Sequence, residues 1–369
     1  MNKVLCATAA LLATTATVQA GGIERTTQSL SWLFETGSYG EFSYSMVDAD
    51  VSGVVSFAPS VSSNDMAASY RSVGFAFKTD LNEKFSLGVA YEQPFGADVF
   101  YPTGTGYPYA GSNADLNAEE IKAVLQYNVD SNWSVYGGLR FQNVKGDVTV
   151  LAPGINYTLD VATSTKLGYL VGVAYERPEI AMRIALTYNS AIKHEFDATE
   201  IGILSTNFET EFPQSVNLEG QTGIAEGTLL MGSVRWVNWS AFDITPDVYS
   251  DGVPDGNFGP RSLVDYNDDT ITYSLGVARS FTDNFAGIAT ISYEKSNGGF
   301  SGNLGPTDGR TSIGLAGRYS VGKATITGGV NYSWIGDAET ENAAAPGTTL
   351  GEFTDNTAVG VGIRVGYTF

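Results

Sequence analysis

The 369-residue chain has one cysteine and one histidine. Cys6 sits inside an N-terminal leader, so the chain that follows has neither disulfides nor a thiol nucleophile. His194 is the only imidazole available to an enzyme mechanism. Basic side chains are half as frequent as acidic ones, 20 against 40, for a formal charge of −20. That deficit excludes the basic footprint of a nucleic-acid binder. Outside the leader no apolar run approaches the ~20 residues of a membrane-spanning helix. A transmembrane β-barrel needs no such run, because its apolar residues fall on alternate positions.

The leader has a short positive start at Asn2 and Lys3, an Ala-rich apolar stretch from Val4 to Val18, and a small-residue cleavage site at Val18-Gln19-Ala20. Residues 1–20 read as an export signal, with the mature chain starting at Gly21. The other end, Asn356 to Phe369, alternates strictly: Thr357, Val359, Val361, Ile363, Val365, Tyr367 and Phe369 on one face, Gly360, Gly362, Arg364, Gly366 and Thr368 on the other. A final strand closing on a bare aromatic resembles the last strand of bacterial outer-membrane barrels, whose assembly machinery reads it.

From Tyr39 onward, alternating runs of about ten residues recur, the length of a tilted strand crossing a bilayer. They centre on Tyr44, Phe75, Val89, Leu125, Leu139, Val171, Ile184, Val216, Val234, Leu275, Ala289, Leu315, Val330 and Ile363. The run at Val216 is the weakest, since Pro213 interrupts a ladder. Short turns at Asp80 to Glu83, Asp130 to Asn132, Arg177 to Glu179, Thr282 to Asn284 and Val321-Gly322 alternate with long connections at Pro94 to Asp115, Lys145 to Thr165, Ala241 to Asp268 and Ile335 to Asp355. Short turns on one side and long loops on the other predict an all-β, antiparallel up-and-down transmembrane barrel of about 14 strands over residues 37–369. Phe85, Trp133 and Phe285 open strands after short turns. Tyr91, Tyr127, Tyr188, Tyr293, Tyr319, Tyr332 and Trp334 fall near strand ends, the place of interfacial girdles. Residues 21–36 leave two readings open, a small plug folded into the lumen or a periplasmic leader.

Four stretches, Tyr91 to Pro102, Phe212 to Phe242, Asp265 to Phe281 and Asn303 to Arg310, resemble the FadL-type outer-membrane transporters of long-chain fatty acids and other hydrophobic compounds. The resemblance implies a fourteen-stranded monomer, an N-terminal plug, and sideways release of ligand into the membrane. The family's Asn-Pro-Ala plug tripeptide is absent from this chain.

The candidate site follows from these readings. Arg140, Arg235 and Arg364 fall mid-barrel on the inward face and are candidates for a ligand carboxylate. Pairing with lumen glutamates is the plainer role for most inward arginines. Phe95, Phe100, Tyr101 and Tyr109 make a capture loop for a hydrophobic molecule, with packing among the loops as the alternative. Gly74 and Gly88, counted to similar heights on the second and third strands, mark a lateral exit. Asp243, Asp247, Asp251, Asp255, Asp265, Asp268 and Asp269 gather in a long connection without a calcium-loop spacing, and read as solvated. No metal and no cofactor are expected, and no catalysis: His194 reads as a solvated loop residue, with Ser190 too far along a strand to meet it. The expected function is passive uptake of long-chain fatty acids or similar hydrophobic molecules across a Gram-negative outer membrane. A general diffusion porin is the alternative, and an outer-membrane lipid hydrolase a more distant one.

Overall fold

The structure is a computed structural model and describes residues 22–250, 261–343 and 345–369. The expected export signal at 1–20, and residues 251–260 of the acidic connection, lie outside the described residues. Among the described residues, fourteen antiparallel strands close into one barrel. These are β1 (Tyr39–Asp50), β2 (Tyr70–Asp80), β3 (Phe85–Phe100), β4 (Asn113–Asn128), β5 (Trp133–Ala152), β6 (Ile155–Arg177) and β7 (Met182–Asn189). The second half comprises β8 (Ser215–Ala225), β9 (Thr228–Val237), β10 (Thr270–Ser280), β11 (Phe285–Glu294), β12 (Arg310–Val321), β13 (Ala324–Ile335) and β14 (Thr357–Thr368). β1 pairs with β14 from Tyr39↔Thr368 to Asp50↔Thr357, so the terminal strand completes the ring. All fourteen centres read from the sequence lie within these strands. Pro213 stands just before β8 and does not interrupt it.

The short turns are built by local side chains. The Asn82 side-chain oxygen accepts from the N–H groups of Lys84 and Phe85, that of Asp130 from Asn132 and Trp133, and the Thr282 hydroxyl from Asn284 and Phe285. Each holds a tight reversal with little more than its own chain. Gly322 adopts φ 59° to complete the β12–β13 turn.

Outward positions are apolar and exposed, among them Phe75, Leu125, Leu139, Val171, Leu275, Leu315 and Val361. Aromatic pairs border this band: Phe85–Tyr127, Trp133–Tyr175 and Phe281–Phe285 on the short-turn side, Tyr169–Tyr188 and Tyr332–Trp334 on the other. An apolar belt between two aromatic girdles is the exterior of a lipid-embedded barrel.

On the long-loop side the ribbons continue past the belt. The connection expected over Lys145 to Thr165 is the end of the β5–β6 hairpin, which turns only at Pro153-Gly154. Strand pairing likewise covers much of Pro94 to Asp115, from Phe95↔Ala118 to Phe100↔Asn113. Residues 192–200 and 204–212 form a further hairpin that continues β7 and β8 outward. The bilayer limits the apolar belt and not the hydrogen-bond ladder, so a membrane-length template stops too early. Segments from the β1–β2, β11–β12 and β13–β14 loops add a small second sheet above the barrel.

On the outer side of these extensions Asp98, Asp115, Asp147 and Asp160 face one another directly across four neighbouring strands. Like charges in opposed positions destabilise a sheet. Burial, and then the charges of Asp115 and Asp160, hold the Asp147 carboxyl above its usual pKa. A carboxyl raised in the folded state detracts from stability above that pKa and ceases to do so as the pH falls through it. Asp147→Asn is therefore expected to slow protease cleavage of the β5–β6 hairpin at pH 8. The difference from the parent should narrow toward pH 4; an equal effect at both values would count against the repulsion.

Candidate functional site: an apolar cavity and the segment beneath it

The wall is incomplete between β2 and β3. The β2–β3 ladder ends at Phe75↔Tyr91 and meets again only at the isolated bridge Ala67↔Val99. β3 carries a one-residue bulge there, since its pairing with β4 jumps from Glu92↔Glu120 to Phe95↔Ala118 and sets Gln93 and Pro94 against the single Glu119. Pro94 has no N–H to offer a ladder. The Gln93 side chain takes the Val73 N–H at 3.1 Å.

The N-terminal segment supplies the missing pairing. Arg25 donates its N–H to Pro94 O at 2.8 Å, Gly96 donates to Ile23 O at 2.9 Å, and Glu24 bridges Phe95. Side chains fasten the same stretch. Arg25 pairs with Asp98 and lies over the Tyr70 ring, Glu24 pairs with Arg235, and Thr26 donates to Glu92. Farther along, Asn217 donates to Thr27 O and Ser29 to Glu219. A single 3-10 turn, Ser31–Phe34, then buries Trp32 and Leu33 beside Leu30 against inward residues of β2 to β7. Each such apolar side chain contributes about 2 kcal/mol. Residues 22–36 thus lie inside the barrel.

Above this segment is an apolar cavity of ≈ 80 Å³, lined among others by Ile23, Leu116, Val144, Phe196, Phe208, Thr210 and Phe212. By the same measure one water needs about 10–15 Å³. Phe212 packs against Phe95 at 5.5 Å and Phe242 at 5.4 Å, and Trp239 closes on Phe95 at 5.8 Å. Ile23 joins the cavity to the segment below it.

The three arginines singled out in the sequence are not brought together, and each faces a carboxylate. Arg140 makes a two-pronged bond to Glu120 at 3.0 and 2.8 Å, with its remaining arm on Ser190 O. Arg235 is held by Glu24, Gln28 and Asn217. Arg364 approaches Glu41 at 3.8 Å and, with Gly74, lines a second cavity of ≈ 100 Å³ beside the N-terminal segment. Lys122 lies between Glu92 and Glu120 and completes a buried four-charge network with Arg140.

The loop aromatics divide differently from the expectation. Only Phe100 is exposed. Tyr101 is fully buried, stacked on Tyr107 at 5.5 Å and near Tyr109 at 6.1 Å, while Phe95 points into the barrel. The bulge before Phe95 reverses which residues of β3 face inward.

Gly74 and Gly88 do not stand at one height. Gly88 is opposite Lys78, four residues lower than Gly74, because the turn centres on residues 81–84 rather than on Leu81-Asn82. Trp32 occupies the space above Gly88. Gly74 lies one step beyond the last β2–β3 pair, at the edge of the gap.

His194 is not a solvated residue. It is fully buried, with rings of Phe196 and Phe212 at 5.5 and 5.3 Å and Nε2 3.2 Å from Gln142 Oε1. Burial and the nearby Lys166 push its pKa down to about 4. The Ser190 hydroxyl instead accepts the Tyr169 N–H. The signal that would have found the cavity is the alternation His194, Phe196, Ala198 against Phe208, Thr210, Phe212, which lies outside the membrane-length runs.

Any side chain at Gly88 has to displace Trp32. Gly88→Val is expected to free the N-terminal segment, seen as a red shift of Trp emission and faster cleavage near residue 25. Gly74→Val, which meets chiefly the movable Ser43 hydroxyl, should leave both readings at parental values.

No curated protein sequence matches this chain. Among solved structures, a Pseudomonas aeruginosa FadL homologue superposes with a TM-score of 0.73 at 14% identity, covering 92% of each chain. The Ralstonia pickettii toluene transporter TbuX gives 0.63 at 12% identity over 91% of this chain and 90% of its own. The P. putida toluene transporter TodX gives 0.64 at 11% identity, covering 91% of each. At such identities the likeness establishes the fold. The family model described as "Outer membrane protein transport protein (OMPP1/FadL/TodX)" matches residues 40–369, and the chain belongs to that family of outer-membrane transporters of hydrophobic compounds.

Proposed function

We propose that this barrel takes up hydrophobic small molecules, fatty-acid-like or aromatic, by passive diffusion. They enter the apolar cavity from outside and leave sideways through the wall between β2 and β3. The observation that carries this reading is the double role of residues 23–26. Ile23 lines the cavity, while its neighbours fill the only stretch of wall where β2 and β3 part. A molecule pressing on Ile23 bears on the segment that closes the gap. A handful of hydrogen bonds, each worth about 1 kcal/mol net, resists it. In this reading Gly74 borders the exit, Gly88 seats Trp32, and residues 21–36 act as the plug. Arg140 and Arg235 are cross-links of the lumen rather than ligand head-group sites. Residues 1–20 direct export, the barrel works as a monomer, and Phe369 is the feature read by the assembly machinery.

A diffusion porin needs a water-filled path, and the packing of Leu30, Trp32 and Leu33 inside the barrel speaks against one. The two are separated in proteoliposomes. The parent protein is expected to admit toluene or decanoate while producing no swelling with arabinose. Removal of residues 22–36 should turn sugar swelling on. Sugar swelling by the parent at a porin's rate would overturn the reading.

A further inference from the structure

Two buried polar atoms beside the apolar cavity have no partner, Oγ1 of Thr210 and Nδ1 of His194. The residues are 2% and 0% exposed and directly opposed in the hairpin above β7 and β8. Thr210 lines the cavity, and the His194 ring is fixed against Phe196 and Phe212, which line it too.

The hydrogen bonds behind His194 determine what its free nitrogen offers. Gln142 donates through Nε2 to Glu120 at 3.1 Å. An ionised carboxylate only accepts, so the Gln142 amide is oriented with its oxygen toward His194. That oxygen lies 3.2 Å from Nε2, which therefore carries the proton. Nδ1 is left with a lone pair. Thr210 opposes it with a hydroxyl that can donate. Side chains in opposed positions have Cβ atoms roughly 4.5–5.5 Å apart, a gap one oxygen atom can bridge.

We propose that the cavity selects apolar molecules bearing one neutral hydroxyl, phenols or alcohols, with Thr210 and His194 as the selecting residues. The inference rests on the transport reading above. A bound hydroxyl donates to His194 Nδ1 and accepts from Thr210, satisfying both. A plain hydrocarbon leaves both atoms unpaired, the circumstance in which a hydrogen-bonding site discriminates most strongly. A carboxylate meets the Nδ1 lone pair; Lys145 lines the cavity in the company of Asp115 and Asp147, and four other inward or gap-side cations are engaged, Arg25 with Asp98, Lys122 with Glu92, Arg140 with Glu120 and Arg235 with Glu24. The outer side of the surrounding strands carries the Asp115, Asp147 and Asp160 row, which opposes anions further. His194 stays neutral near pH 7, its pKa lowered by burial and by Lys166.

The test uses three probes of one shape, 4-methylphenol, toluene and 4-methylbenzoate, titrated calorimetrically into the full barrel in nanodiscs at pH 7.5. The phenol is expected to bind about tenfold tighter than toluene, with the benzoate weakest. Thr210→Val should bring the phenol to the level of toluene. Thr210→Ser should keep the preference, which separates a lost hydroxyl from a damaged fold. His194→Phe should also abolish it. Toluene binding with no preference for the phenol, a preference that survives Thr210→Val, or tightest binding of the benzoate overturns this inference alone. Absence of binding by all three overturns the transport reading and this inference with it.

Discussion

A β-sheet surrounded by lipid has no water to satisfy its edge, so every peptide group has to find a partner within the protein. Closure of β1 on β14 meets that demand around the ring. The demand is sharpest where the ring fails, at the Gln93-Pro94 bulge, because the β2–β3 ladder stops at Phe75↔Tyr91. Residues 23–26 answer it from inside the barrel, with Arg25 and Ile23 bonded to Pro94 and Gly96. The position of the N-terminal segment, the burial of Trp32 over Gly88 and the pairing of Glu24 with Arg235 all accompany that repair.

A repair made by a separate segment differs from a strand of the ring. The β1–β14 ladder runs through twelve opposed residue pairs, and opening it would disrupt the whole barrel. The segment at Pro94 is held by few backbone bonds, and local stability follows the number of such bonds and the apolar area behind them. Its deeper portion, Leu30 to Leu33, is anchored by burial. The upper portion is therefore held by fewer backbone bonds than a strand of the ring, and it is also the portion in contact with the cavity through Ile23.

The architecture was legible in the sequence because two physical patterns repeat. Strands buried on one face and lipid-facing on the other alternate with period two, and periplasmic turns such as Asp130 to Asn132 are short and self-capped. The girdle residues Phe85, Trp133 and Tyr188 were legible for the same reason. The site was largely illegible. One bulged pair of residues reversed the facing of Phe95, and a shift of about two residues in one turn separated Gly74 from Gly88. Neither event leaves a mark in periodicity over ten residues. The hairpin that carries His194 and Thr210 projects beyond the belt, where alternation is between buried and solvated residues and looks like loop polarity. The carboxylate partner of each arginine lies on another strand or on the N-terminal segment, so ion pairing depends on register that composition does not contain.

That pairing also limits what the lumen can bind. Glu92, Lys122, Glu120 and Arg140 form a network of two anions and two cations, and Glu120, Lys122 and Arg140 are almost wholly withdrawn from solvent. Removing one partner from such a buried pair strands the other, at a cost of about 3–5 kcal/mol. A ligand carboxylate recruiting Arg140 would leave Glu120 with only Lys122 and Gln142, while bringing a further negative charge beside it. Inward arginines in a strongly acidic chain thus tell little about anionic ligands until their partners are known. In this barrel Arg140, Arg235 and Arg364 face carboxylates already present. Beside the apolar cavity two neutral groups, the Thr210 hydroxyl and one nitrogen of His194, are buried without a partner.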